Sequence, residues 1–282
     1  MKPITDLPQV IIEDSQSKWD AFCSAAKHAN ISLWDDSGFI EVLKRAFAFS
    51  NFIARSCTHN PALLAELVES VDLHRKYPTD HYTHKLKKFL SGLSELEEEA
   101  KLFSILRRFR LREMIRIAWR DLAGWADFSR TMADLSALAD ACINQALLLL
   151  YEWACQKYGI PSGDDGSQQF LVVLGMGKLG GGELNFSSDV DLIFAYPAAG
   201  QTRGVSEPIS NKEFFMHLCR SLKKTIGFRT SEGLVFRVDM NLRSYGESGP
   251  LVMSFDAMEE YYQEQGREWE RYAWIKARST SP

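Results

Sequence analysis

Gly175–Phe194 reads GMGKLGGGELNFSSDVDLIF, and the way this run folds decides what the rest of the chain can do. Phe170–Leu174 (FLVVL) before it is a short apolar run of the kind that forms a buried strand, and Asp189–Tyr196 (DVDLIFAY) is a second. On a strand successive side chains alternate, so Asp189 and Asp191 point to one face while Val190 and Leu192 point to the other. Two carboxylates side by side repel unless a cation lies between them, and hard oxygen ligands of this kind suit Mg²⁺ or Mn²⁺. The glycines upstream allow a phosphate to come close to the backbone, with Gly177 in the turn and Lys178, Ser187 and Ser188 as donors beside it.

Working outward, Leu234–Leu242 (LVFRVDMNL) is a third strand pattern, with Asp239, Arg237, Asn241 and Arg243 on one side at period two. Asp239 supplies the third carboxylate of a two-metal clamp, an arrangement that stabilises both entering and leaving oxygens at phosphorus. The arginines, Arg243 among them, are candidates to offset the other phosphate oxygens. Gly175-x-Gly177-x-x-Gly180 also matches a dinucleotide-binding fingerprint in form. That fingerprint needs a full helix before the next strand, and only Gly181–Ser188 intervenes. Gly177-Lys178 lacks the serine or threonine of a phosphate-binding P-loop. A lone Asp-x-Asp reads as a solvated strand end; glycine turn, aspartate pair and distal strand aspartate together resemble the nucleotidyltransferase fold of polymerase-β-like enzymes.

The surroundings agree with a globular α+β chain. Of 282 residues 45% are hydrophobic and 25% charged, which excludes wholesale disorder, and the net charge of −4 argues against a mainly electrostatic nucleic-acid binder. The five cysteines (Cys23, Cys57, Cys142, Cys155 and Cys219) are scattered, without Cys-x-x-Cys, so neither a disulfide framework nor a structural zinc site is expected. The longest strongly apolar run, Ala146–Tyr151, is too short for a bilayer, and Met1–Ser15 lacks the apolar core of a signal peptide. A cytoplasmic protein without membrane or nucleic-acid partners is the expectation.

The first 159 residues read as helical. Ser94 and Glu97 form a capping-box signal before a helix running to about Asp121, and a second long helix runs from Thr131 to Tyr158, ended by Gly159 and Pro161. Glu213–Lys224 is a further helix, Pro197–Lys212 a loop, and Phe255–Arg278 has helical spacing with a weak point at Gly266. The expected organisation is a helical region over 1–124, a nucleotidyltransferase domain over 125–278, and a truncated tail, STSP, over 279–282.

The resemblance sharpens on four segments: the opening run, RFRLREMIRIAWRDLAG (Arg108–Gly124), LSALADACI (Leu135–Ile143) and FRVDMNLRSYG (Phe236–Gly246). Together they resemble the bacterial bifunctional glutamine synthetase adenylyltransferase/adenylyl-removing enzymes, and ELNFSSDVDL resembles the N-terminal, adenylyl-removing copy of that family's two catalytic domains. What the resemblance implies is phosphorolysis: inorganic phosphate attacks the AMP group on a glutamine synthetase tyrosine, giving ADP and free tyrosine. It implies Asp189, Asp191 and Asp239 as catalytic metal ligands for Mg²⁺ or Mn²⁺, and Gly177, Lys178, Ser188 and Arg243 as holders of nucleotide (ADP or ATP) or phosphate. Glutamine synthetase would be the protein substrate and the PII signalling protein a further partner. Two departures stand out. The family's members are much longer, and its Arg-Leu-Arg-Pro motif reads Asn241-Leu242-Arg243-Ser244 here. They leave an alternative in play, a catalytically inactive remnant that binds glutamine synthetase or PII.

Other conspicuous residues take plainer readings. Arg108, Arg112, Arg116 and Arg120, four apart, read as a solvated or salt-bridged stripe before they read as a docking face. His74, His81 and His84 read as surface residues, and Trp119, Trp125, Trp153, Trp269 and Trp274 as core or seam packing.

Overall fold

A computed structural model describes residues 6–93 and 99–281. Ser94 and Glu97, the expected capping box, lie outside the described residues. Helices dominate the first half: α1 (Gln9–His28), α2 (Ser37–Phe49), α3 (Asn51–His59), α4 (Pro61–Glu69), α5 (His81–Leu90), α6 (Glu99–Leu122) and α7 (Phe128–Tyr158). Local chemistry sets their starts. Asp36 accepts from the first-turn amides of Gly38 and Phe39 of α2, Ser50 from Ile53 of α3, and Pro61 occupies the first turn of α4, where no amide partner is needed.

The chain divides into two compact units, residues 1–77 with 111–131, and residues 78–110 with 132–282. This differs from the single cut at 124/125 read from the sequence, because the first half of α6 bonds to the second unit's own loops. Arg107, fully buried, donates to the carbonyls of Gly233 and Phe228, and Arg108 pairs with Glu232.

The first unit is all helical. Phe22, Leu43, Phe47, Ile53, Leu64, Leu67 and Trp119 form its core. The salt-bridged reading of the arginine stripe holds and the solvated one does not beyond Arg108: Arg112, Arg116 and Arg120 are buried. Arg112 forks onto Glu66 (2.7 and 2.8 Å) and reaches Asp72 (2.6 Å), while Arg116 and Arg120 donate to the carbonyls of Asp72 and Leu73. The guanidinium of Arg116 also lies 3.4 Å from the Tyr77 ring centroid. Segment 72–77, which has no regular structure to satisfy its own carbonyls, is held by this row of donors. The four-residue period marks one face of the helix; it cannot say that the face points inward.

The second unit is α+β. The elements after α7 are β1 (Ile160–Ser162), β2 (Val172–Gly175), the single turn α8 (Gly177–Gly180), β3 (Val190–Tyr196), β4 (Gln201–Arg203), α9 (Asn211–Gly227), β5 (Val238–Asp239), β6 (Val252–Ser254), α10 (Phe255–Glu264), α11 (Glu268–Ala273) and β7 (Arg278–Ser279). The sheet runs β5-β3-β2-β7, antiparallel at β3/β2 and β2/β7 and parallel at β3/β5. β6 pairs parallel with the far end of β3, on the edge that β5 uses at the near end. β3 is thus central. Tyr196 stacks on Phe215 of α9 on one face, and Ile193 and Ala195 pack with Met258 of α10 on the other, so only Asp191 escapes full burial.

Three further segments take these forms. The loop 197–212 contains β4, which pairs with β1. Phe255–Arg278 is two short helices and a 3-10 turn, broken at the expected weak point Gly266, and the buried Glu270 carboxylate accepts from the Arg267 amide (2.8 Å) at the start of the second helix. Arg278 and Ser279 pair with β2, and buried Thr280 donates to Val173, filling the open edge that β2 would leave. Trp269 is half exposed rather than core. Among the described residues α7 is the helix long and apolar enough to cross a membrane by length and composition, more than the short run suggested, but most of that stretch is buried inside the protein.

Candidate active site

Asp191 and Asp239 are partners in the parallel register of β3 and β5, so their side chains leave the same face of the sheet at the same level. A backbone bond from Val190 to the carbonyl of Arg237 (2.8 Å) fixes this pairing. Behind Asp191 stands the turn that follows β2. Met176 donates its amide to the Asp191 carbonyl (2.9 Å), and Gly177, at φ +52°, lies so close that a Cβ there would be 2.7 Å from Asp191 Oδ2. A side chain at 177 would fill the cradle around that oxygen.

The glycines of Gly175-x-Gly177-x-x-Gly180 therefore serve close packing rather than a dinucleotide loop. At Gly180 a Cβ would meet the Lys276 carbonyl at 2.0 Å and the Gly175 carbonyl at 2.5 Å. Arg278 braces the same turn, donating to Leu179 O (3.0 Å) and to Asp140 of α7 (2.8 Å), and Lys276 pairs with Glu183.

Electrostatics single out Asp191. Its carboxyl is held above the usual carboxylate range by burial, then by Asp239 and Asp189, with Lys178 as the opposing cation. Asp239 is better satisfied: Asn241 donates its backbone amide to Oδ1 (2.7 Å) and its side-chain amide to Oδ2 (3.4 Å). Asp189 is ion-paired with Arg237, whose Nη2 also donates to the Ser187 carbonyl (2.6 Å).

Among the described residues no three carboxylate, imidazole or thiol groups converge closely enough to enclose a metal ion. The three aspartates are therefore not a closed cage, since Asp189 is turned to Arg237. The donor set still fits Mg²⁺, which takes one or two carboxylates together with substrate phosphate and water rather than an all-protein shell. Two carboxylates in register, one mutually repelled and backed by a glycine cradle, are such a set.

With that geometry in place, similarity to known proteins decides the lineage. The profile of the family described as glutamate-ammonia ligase adenylyltransferase matches residues 40–281. The chain belongs to that family. It is 48% identical over 276 residues to the bifunctional glutamine synthetase adenylyltransferase/adenylyl-removing enzyme of Nitrosococcus oceani, covering 98% of this chain and 28% of the relative. The protein of the same name from Shewanella loihica is 42% identical over the same shares, and that of Pseudomonas aeruginosa 46% identical over 92% of this chain and 26% of its own. The chain thus spans little more than a quarter of the length of these relatives.

Within this chain the remaining expected residues fall into two groups. Lys178 is exposed on α8, close enough to act on Asp191. Ser188 and Arg243 are occupied elsewhere. The Ser188 hydroxyl donates to Asn185 Oδ1 (2.7 Å) and so closes the turn ahead of β3. Arg243 braces its own loop through the carbonyls of Met240 (2.7 Å) and Glu247 (2.8 Å). β5 stops at Asp239, so period two does not carry Arg243 back to the carboxylates. The roles of Asn241 on Asp239 and of Arg278 under α8 were not legible in advance. The only signal for Asn241 was its place two after Asp239, and Arg278 finds Asp140 across 138 positions.

Proposed function

We propose that this chain is the adenylyl-removing catalytic part of a glutamine synthetase adenylyltransferase, acting by phosphorolysis on adenylylated glutamine synthetase. The observation that carries the reading is the in-register Asp191–Asp239 pair backed by Gly177. In the reaction an oxygen of inorganic phosphate bonds to the α-phosphorus of the AMP group and the bond from phosphorus to the tyrosine oxygen breaks. The tyrosine oxygen takes a proton, and ADP leaves.

Divalent cations held by Asp191 and Asp239, with Asp189 as a third ligand, would supply charge neutralisation at the transferring phosphorus. The chain's own residues do the positioning. Gly177 lets the turn after β2 pack directly against Asp191 Oδ2, where a Cβ would come within 2.7 Å. Lys178 brings a positive charge to the open side of the carboxylates, where nucleotide or phosphate would bind. Asn241 locks the Asp239 rotamer through two donors, so this ligand is oriented before substrate arrives. Arg243 and Ser188 shape the flanking turns.

The test is a product assay. Adenylylated glutamine synthetase, Mg²⁺ and inorganic phosphate are mixed with the chain, and released nucleotide is separated. ADP that requires phosphate is the expected product, reduced at least about 1,000-fold in Asp191→Asn. No ADP from the folded chain, beside a full-length relative that produces it, would leave a binding remnant instead.

A further inference from the structure

Arg237 stands at the edge of the site without an assigned part. Its backbone is pinned beside the start of β3, since its carbonyl accepts from Val190 (2.8 Å), while 60% of its side chain is exposed. Its Nε bonds Asp189 Oδ1 and its Nη2 bonds the Ser187 carbonyl (2.6 Å). Asp191 and Asp239 are register partners across β3 and β5, and Asp189 stands two residues before Asp191. Two of them have found donors: Asp239 the amides of Asn241, and Asp189 this guanidinium.

We propose that Arg237 is an internal counter-cation, a positioning residue that holds Asp189 in the place a divalent metal ion would otherwise claim and gives it up when the metal binds. The inference rests on reading Asp191 and Asp239 as a metal site. A guanidinium and a divalent ion compete for the same carboxylate oxygens, so the ion pair subtracts from metal affinity. The pair is about half exposed, and ion pairs of that kind are weak enough to exchange with a divalent ion. Both side-chain bonds of Arg237 go to one short segment, Asp189 and the carbonyl of Ser187, so letting go requires a side-chain rotation and no movement of β5. The released guanidinium stays on the site's rim as a positive charge complementary to phosphate. The arrangement also explains why Asp189 does not already close a three-carboxylate cage: without a metal, closure would place three like charges together.

The experiment is a titration with Mn²⁺ alone, following the free aqueous ion by electron paramagnetic resonance, on the wild-type chain, Arg237→Gln, Arg237→Lys and Asp191→Asn. Arg237→Gln removes the competitor, and Mn²⁺ binding is expected to tighten about 3- to 5-fold, the size of one exposed ion pair. Arg237→Lys keeps the charge but loses the two-point grip, and is expected to fall between the two. The gain should shrink as salt is raised, since screening weakens the competing pair. Unchanged or weaker Mn²⁺ binding in Arg237→Gln, with binding still lost in Asp191→Asn, overturns the counter-cation and leaves the metal site standing. Binding that survives Asp191→Asn unchanged overturns the metal reading, and the inference with it.

Discussion

At the scale of single residues, the ionised Asp191 carries a cost that a bound cation would offset. Its carboxyl is raised above the ordinary value of 3.8 in the folded chain. Between that value and its raised one, the folded state holds a proton that the unfolded state has lost. Stability from this group is therefore full below 3.8, falls as pH rises through the raised value, and above it the ionised carboxylate is a net burden. Asp191→Asn should melt higher than wild type at pH 7 without metal, and the gap should close as pH falls below the ordinary value. Added Mg²⁺ should raise the melting temperature of wild type and not of the variant; differential scanning fluorimetry across pH reads both. Gly177 belongs to the same scale. Gly177→Ala forces a Cβ to 2.7 Å from Asp191 Oδ2 at a left-handed φ, so metal-dependent activity should drop at least about tenfold while the fold loses about 1 kcal/mol.

Elements show how far the sequence reaches. The strands at 172–175 and 190–196 were legible because short apolar runs bounded by glycine and polar residues have few other fates. The third strand was overread: nine residues of pattern yield only Val238–Asp239, since Asn241 bends the chain back onto Asp239. β7 had no pattern to find, because two residues on a sheet edge are recruited by unpaired groups of β2 rather than by their own propensity. Helix α9 begins on a full capping box, Ser210 with Glu213. Ser210→Ala should cost about 1 kcal/mol, read from chemical denaturation, with little change in m-value. Turn α8 depends on contact from outside itself. Gly180→Ala would push against the Lys276 carbonyl and should destabilise the second unit by about 1–3 kcal/mol or more.

Across the whole molecule, each unit depends on buried charge that periodicity alone could not place. In the first, Arg112 is held charged against the penalty of burial by Glu66, Glu113 and Asp72. Arg112→Met would leave Asp72 and Glu113 buried without it, and should cost about 3–5 kcal/mol, seen as early loss of helical circular dichroism on heating. The fold class was legible from the helix and strand patterns, and two short motifs put the aspartates on neighbouring strands. Asp191 and Asp239 come into register, whereas Asp189 turns to Arg237 and Ser188 and Arg243 are drawn to nearby backbone and amide groups that sequence distance does not weight.

Calorimetric titration of the chain with ADP, with and without Mg²⁺, reads whether the Asp191–Asp239 pair makes a metal-dependent nucleotide site. ADP binding is expected to need Mg²⁺ and to disappear in Asp191→Asn. ADP binding of equal strength without Mg²⁺, or undiminished in the variant, would contradict it.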